Sequence, residues 1–166
     1  LDVVITNPSY VVGAGDLYRT ENSPIVRFYQ RQIPFVPTGG INIVHIKDVV
    51  NGHLAAMEYG KCGERYILAH ENLTFKQMFS ILSAITGVQS PGLLVPGRIL
   101  RPSVGALQLF SSLFNLPVSV ELIRYAGYGF YFNNQKSRQA LKLEYQHSAT
   151  DAMQDAFSWF QQNYRN

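Results

Sequence analysis

The sequence predicts an α/β fold, the end of a parallel sheet followed by a mostly helical lobe. Val3-Val4-Ile5-Thr6 is an unbroken β-branched run, the pattern of a strand covered on both faces, as in parallel sheets. Ile41 to Ile46 and Arg65 to Ala69 are two more short apolar runs, with a helix-length stretch between them. Strands that alternate with helices in this way signal a parallel sheet. From Thr74 onward the apolar residues recur at three and four, so helices dominate the second half.

Each element has its own local warrant. The first strand ends at the breaker Asn7-Pro8-Ser9, and residues 10 to 24, rich in Gly, Asp, Thr, Asn and Pro, read as a loop. Ile25 to Arg31 reads as a short helix that stops before Pro34. Asp48 is the expected N-cap of the helix after the second strand, because a carboxylate accepts the free amide protons of a first turn. Val50, Leu54 and Met57 form the expected apolar face of that helix, and Gly60 its stop. Thr74 and Gln77 have capping-box spacing ahead of Phe75, Met78, Phe79, Leu82 and Ile85, with Gly87 as terminator. Leu93 to Val95 reads as a brief strand. Ala106, Leu107, Phe110, Leu113 and Phe114 predict a helix that stops before Pro117, and a further helix runs from about Val120 to Ala126. In the tail, Ser148 with Asp151 reads as a cap, and Ala149, Ala152, Met153, Ala156, Phe157 and Phe160 as a helix face.

Composition excludes several classes. The chain has 166 residues, of which 46% are apolar and only 15% charged, which argues against disorder. Net charge is +3, and the 14 basic residues are scattered rather than clustered, so neither nucleic acid nor a membrane surface is the expected partner. The single cysteine, Cys62, makes no internal disulfide and no zinc site, which points to a reducing, cytoplasmic setting. Leu1 to Thr6 lacks the basic start of a signal peptide and is too short to span a bilayer. An opening inside an apolar run, without Met, reads as a fragment.

No complete catalytic constellation is visible. Gly13-Ala14-Gly15 fails as a phosphate-cradling loop, because Tyr18 occupies the third glycine position and no helix follows. None of the ten tyrosines has Lys four residues later, the spacing that puts an ammonium beside a phenol and tunes it for proton transfer. There is no Gly-x-Ser-x-Gly elbow. His45, His53, His70 and His147 have no metal-site spacing and read as surface or structural residues.

Several motifs together carry a resemblance that covers nearly the whole chain. They are Asn7-Pro8-Ser9 through Gly13, Thr38-Gly39-Gly40-Ile41-Asn42-Ile43-Val44-His45 with Asp48-Val49, and Gly52-His53-Leu54. Gly63-Glu64-Arg65-Tyr66-Ile67-Leu68, Glu71-Asn72-Leu73-Thr74, Lys136-Ser137 with Leu141 and Leu143, and Ala156-Phe157-Ser158-Trp159-Phe160 follow. In order and spacing they resemble the C-terminal half of an extended short-chain dehydrogenase/reductase of the NAD-dependent epimerase/dehydratase superfamily. The nearest subgroup is the dihydroflavonol-reductase-like enzymes, including the hopanoid-associated sugar epimerases.

The resemblance implies a Rossmann-like sheet that binds NAD or NADP and a smaller, mostly helical lobe that covers a small-molecule substrate. That substrate is a sugar nucleotide or a flavonoid-like carbonyl compound. Residues 1–12 and 46–70 would be the remnant of the NAD(P)-binding sheet, and 13–45 and 71–166 the substrate lobe. The glycine-rich loop and the Tyr-Lys pair of such enzymes would lie before Leu1. The 166 residues therefore carry no catalytic residue and no metal ligand, and are expected to be inactive alone. Pro8, Ser9, Tyr10 and Val11 match the segment that passes the nicotinamide, with a plain strand-ending turn as the other reading. Ser23 matches a serine near the cofactor phosphates, or is a surface hydroxyl. Asn42 matches an amide that meets substrate, or is a polar residue on the solvent face of a strand. His45 and Asp48 read as a packing residue and a helix cap, and Trp159 and Phe160 as packing for the terminal helix. Two turns depart from the family pattern, Gly13-Ala14 and Leu143-Glu144-Tyr145.

Two other classes stand beside this one. One is a non-catalytic ligand-binding module that kept only the lobe. The other is an interaction protein, a homodimer for example, whose sheet edge at Val3 to Thr6 pairs with another chain.

Overall fold

A computed structural model describes residues 1–15, 23–100 and 126–163. The helices expected over Ala106–Phe114 and from Val120 lie outside the described residues, Ala126 excepted, as do positions 16–22 of the expected loop. The described elements are β1 (Ile5–Pro8), β2 (Tyr10–Val12), α1 (Pro24–Tyr29), β3 (Val36–Pro37), β4 (Gly40–His45), α2 (Ile46–Tyr59) and β5 (Arg65–Leu68). They continue with β6 (Glu71–Thr74), α3 (Phe75–Thr86), β7 (Leu94–Val95), α4 (Gly97–Leu100), β8 (Gly129–Phe130), α5 (Gln135–Ala140) and α6 (Ala149–Asn163).

The α/β class and the parallel pairing follow the sequence. β1 runs parallel to β5 in the register Ile5↔Arg65 to Pro8↔Leu68. β2 and β8 both run parallel to β4, β2 beside its Ile43–His45 end and β8 beside Gly40 and Ile41. β6 adjoins β4 in the same sheet, and β3 pairs with β7 in parallel.

Contacts divide the chain into two units. Among the described residues the first holds 1–15, 42–72 and 131–163, and the second 23–41, 73–100 and 126–130. The contacts thus group the tail from Tyr131 with the β1 and β5 strands.

In the first unit, Val44, Val49, Ala56, Tyr66, Leu68, Leu141 and Leu143 form one core. Three expectations are corrected here. The strand predicted over Val3–Thr6 is shifted to Ile5–Pro8, and Val3 and Ile5 are exposed rather than covered on both faces. β1 has β5 as its one pairing strand among the described residues. Pro8, which cannot donate to a ladder, sits at the strand end, and the amide of Ser9 donates to the Leu68 carbonyl at 2.9 Å instead. The expected loop likewise begins with a strand, since Tyr10–Val12 pairs with β4.

The second correction concerns the face of α2. Val50, Leu54 and Met57 are 51%, 59% and 84% exposed. The buried face is Asp48, Val49, Gly52 and Ala56. Small residues win over bulky ones because they let the helix lie close on the sheet: a Cβ at Gly52 would meet both Leu68 Cδ atoms at 2.8 Å. The third correction is the cap. His45 is the N-cap of α2, its Nδ1 accepting the Lys47 amide at 3.0 Å. Asp48 lies inside the first turn and is fully buried.

In the second unit, α3 opens with the expected Thr74–Gln77 capping box and closes on Gly87 in the left-handed region. Phe28 of α1 stacks on Phe79 of α3, with centroids 5.5 Å apart. Gly39 has φ +113°, and a Cβ there would run into the Tyr128 backbone.

Candidate functional site at the carboxyl ends of two parallel strands

Both β1 and β5 end, at Pro8 and Leu68, beside a polar cluster of the first unit. Its centre is Asn42 of β4, which is fully buried. The His70 amide donates to Asn42 Oδ1 at 3.1 Å, and Ser9 Oγ lies 2.6 Å from the same oxygen. Asn42 Nδ2 donates to Asn72 Oδ1 at 2.7 Å. Asn72 in turn is gripped by both backbone groups of Phe132. The Phe132 amide donates to Asn72 Oδ1 at 3.1 Å, and Asn72 Nδ2 donates to the Phe132 carbonyl at 3.2 Å.

The rim of this cluster is also fixed by polar side chains. Asn134 Nδ2 donates to the Ala69 carbonyl at 2.6 Å, and Ser137 Oγ to that of Ile67 at 2.7 Å. Tyr145 accepts the Ala69 amide at 3.2 Å and stacks on the His70 ring at 4.8 Å. Burial pushes the Tyr145 phenol above its usual range, against a smaller opposing effect of its hydrogen bonds.

A second polar cluster locks the start of α2. The Asp48 carboxyl accepts the Gln146 amide at 3.2 Å, the His147 amide at 3.1 Å and His147 Nδ1 at 3.0 Å. The His147 ring stacks on His45 at 4.3 Å. Because His45 Nδ1 accepts from Lys47, its proton is on Nε2, which faces Asp155 Oδ2 at 3.2 Å. His45 is thus a cap and a tether rather than a packing residue alone.

The expected site residues divide between the units. Pro8, Tyr10 and Val11 are exposed and Ser9 is half-buried, all in the first unit. Ser23 is in the second, at the N-cap of α1, where its carbonyl accepts the Arg27 amide at 3.0 Å. Asn42 is not on a solvent face. Asn72, His70 and Phe132, which join Ser9 and Asn42, carry no local sequence signal for that role. Glu71-Asn72-Leu73-Thr74 was a recognisable motif, but nothing in it signals a partner 30 or 60 residues away. Among the described residues, no group of three or more His, Cys, Asp or Glu side chains is placed to hold a metal ion. No helix among them is long and apolar enough to cross a membrane.

No family model matches the chain. A protein of Synechocystis sp. named as a dihydroflavonol 4-reductase is 35% identical over 169 residues, covering 96% of this chain and 48% of the relative. A nucleoside-diphosphate-sugar epimerase from Pseudomonas aeruginosa has the same fold, with a TM-score of 0.78 at 24% identity over 99% of this chain and 49% of the other. A UDP-glucuronic acid 4-epimerase from Bacillus cereus, solved in complex with NAD, matches with a TM-score of 0.66 at 16% identity over 99% and 46%. Over nearly its whole length the chain resembles a dihydroflavonol 4-reductase in sequence and shares the fold of NAD-dependent epimerases. It spans about half the length of these relatives.

Proposed function

We propose that these residues form the substrate-side part of an NAD(P)-dependent reductase or nucleotide-sugar epimerase. The reaction is hydride transfer between a nicotinamide and a carbonyl or alcohol carbon. The observation that carries this reading is the segment Pro8–Val11, accessible at the carboxyl end of β1 and anchored there through Ser9. In open parallel sheets ligands bind beyond the carboxyl ends of the strands. The residues present suit the carboxamide end of a nicotinamide, since Ser9 offers hydroxyl lone pairs to an N–H. The dinucleotide, when bound, supplies the hydride.

In this reading Pro8, Ser9, Tyr10 and Val11 flank the nicotinamide. Asn42 serves the substrate side through its partners rather than by direct contact. The phosphate-binding glycine loop and the tyrosine–lysine acid/base pair are contributed by polypeptide outside the 166 residues. The substrate is a sugar nucleotide or a flavonoid-like carbonyl compound, and the setting is the cytoplasm. On its own the 166-residue chain holds the dinucleotide weakly and turns nothing over.

The test is binding and turnover of NAD(H) and NADP(H) by the full protein that carries this chain, with nucleotide sugars and carbonyl compounds as substrates. Saturable dinucleotide binding that weakens on Ser9→Ala supports the reading. Absence of binding to either dinucleotide refutes it, and turnover by the 166 residues alone refutes the assignment of the acid/base pair elsewhere.

A further inference from the structure

We infer that Asn42 is a positioning residue that fixes the polarity of Ser9, leaving its hydroxyl only acceptor capacity, so that the ligand group it meets must bring an N–H or O–H. This rests on the proposed function for the place of Ser9 beside a ligand, but the polarity itself follows from backbone groups whose roles are not adjustable.

The His70 amide can only donate, so the Asn42 atom 3.1 Å from it is the oxygen. The other end of the amide is fixed independently. Phe132 presents one backbone donor and one backbone acceptor to Asn72, which sets Asn72 Oδ1 as an acceptor. The Asn42 atom that meets it at 2.7 Å is therefore the nitrogen. Two separate constraints give one orientation of Asn42. Ser9 Oγ, at 2.6 Å from the Asn42 oxygen, must spend its single proton there. Its backbone N–H is spent on Leu68. Both donors of Ser9 are committed inside the protein, and the hydroxyl keeps only its lone pairs. Asn42 itself is fully buried, so it acts through Ser9. The matching ligand group is a carboxamide N–H of the cofactor or a hydroxyl of the substrate. A carbonyl or phosphate oxygen meets lone pairs there and is disfavoured.

The experiment uses the full protein that carries this chain, with the natural dinucleotide and its 3-acetylpyridine analogue, in which a methyl group replaces the carboxamide NH2. Ser9→Ala, Ser9→Thr, Asn42→Leu, Asn42→Asp and the Ser9→Ala/Asn42→Leu double variant are compared, with thermal melts to establish that each is folded. The expected result is a preference for the carboxamide form, reduced about five- to tenfold in Ser9→Ala and in Asn42→Leu, the worth of one hydrogen bond. The double variant loses no more than Ser9→Ala alone, and Ser9→Thr and Asn42→Asp retain most of the preference. If the two dinucleotides bind alike and KM for a hydroxylated substrate instead rises in the same non-additive way, the donor is the substrate hydroxyl and the inference stands. Additive losses, or folded Asn42→Leu with wild-type constants beside an impaired Ser9→Ala, overturn it while leaving the proposed function intact. A protein that binds no nicotinamide dinucleotide overturns both.

Discussion

Replacing Asp48 by Ala removes the acceptor for three hydrogen bonds at once, from the Gln146 amide, the His147 amide and His147 Nδ1. A donor left without a partner in a dry site costs about 1–3 kcal/mol. Gln146 is exposed and the His147 side chain is 28% accessible, so water reaches part of the vacated site and the low end applies. The expected loss for Asp48→Ala is roughly 3 kcal/mol, from three donors at about 1 kcal/mol each. Asp48→Asn keeps one acceptor oxygen and turns an NH2 toward the remaining donors, so about half of that loss is expected. Urea unfolding of the protein and its variants reads this as a lower midpoint at constant slope, and a thermal scan as a fall of roughly 6–12 °C. An Asp48→Ala variant within about 1 kcal/mol of the parent would refute the reasoning, and so would Asp48→Asn as damaging as Asp48→Ala.

Gly39→Ala forces a side chain into a positive-φ position and against the Tyr128 backbone, and is expected to cost about 2–4 kcal/mol in chemical denaturation. On α2, buried Val49→Ala is expected to cost about 2 kcal/mol and exposed Val50→Ala less than about 0.5 kcal/mol, and equal losses would restore the bulky face as the buried one. Ser148 hydrogen bonds hold the Asp151 carboxyl below its usual value, and the Lys136 hydrogen bond does the same for Glu64. Lowered carboxyl values mean stability that is present above the free value and lost as pH falls through the folded one, so acid should loosen the start of α6, and Ser148→Ala should flatten that part of the acid limb. Tyr145 has the opposite sign: its raised value gives stability below about pH 10 that is lost on further alkalinisation, and Tyr145→Phe should remove the alkaline loss.

What the sequence disclosed depended on whether the signal was local. The capping boxes at Thr74–Gln77 and Ser148–Asp151 formed as read, because their partners lie three residues apart. The buried Ala149, Ala152, Met153 and Phe157 face of α6 followed from its period. The α2 sequence carries two stripes of one period, and hydrophobicity favours Val50, Leu54 and Met57. Contact with the sheet favours the small residues, which no count of apolar side chains reveals. Asp48 looked like a cap for the same reason: its real donors are about a hundred residues away in sequence. The candidate site was legible as a motif at Asn7-Pro8-Ser9 and as a single amide at Asn42. The orientation of that amide depends on His70, Asn72 and Phe132, and came only with three-dimensional pairing.

The first unit is assembled from three separated stretches of chain, and this has a consequence for the order of its folding. β1 meets a partner 60 positions downstream, and Asp48 finds its donors 98 and 99 positions downstream. During synthesis β1 can therefore pair only after Leu68 is made, and the Asp48 carboxyl waits for donors until Gln146 and His147 have emerged. Parallel pairing over such separations is slow, because loop closure precedes any reward from contacts. A chain interrupted before Gln146 leaves the Asp48 carboxyl without its Gln146 and His147 donors.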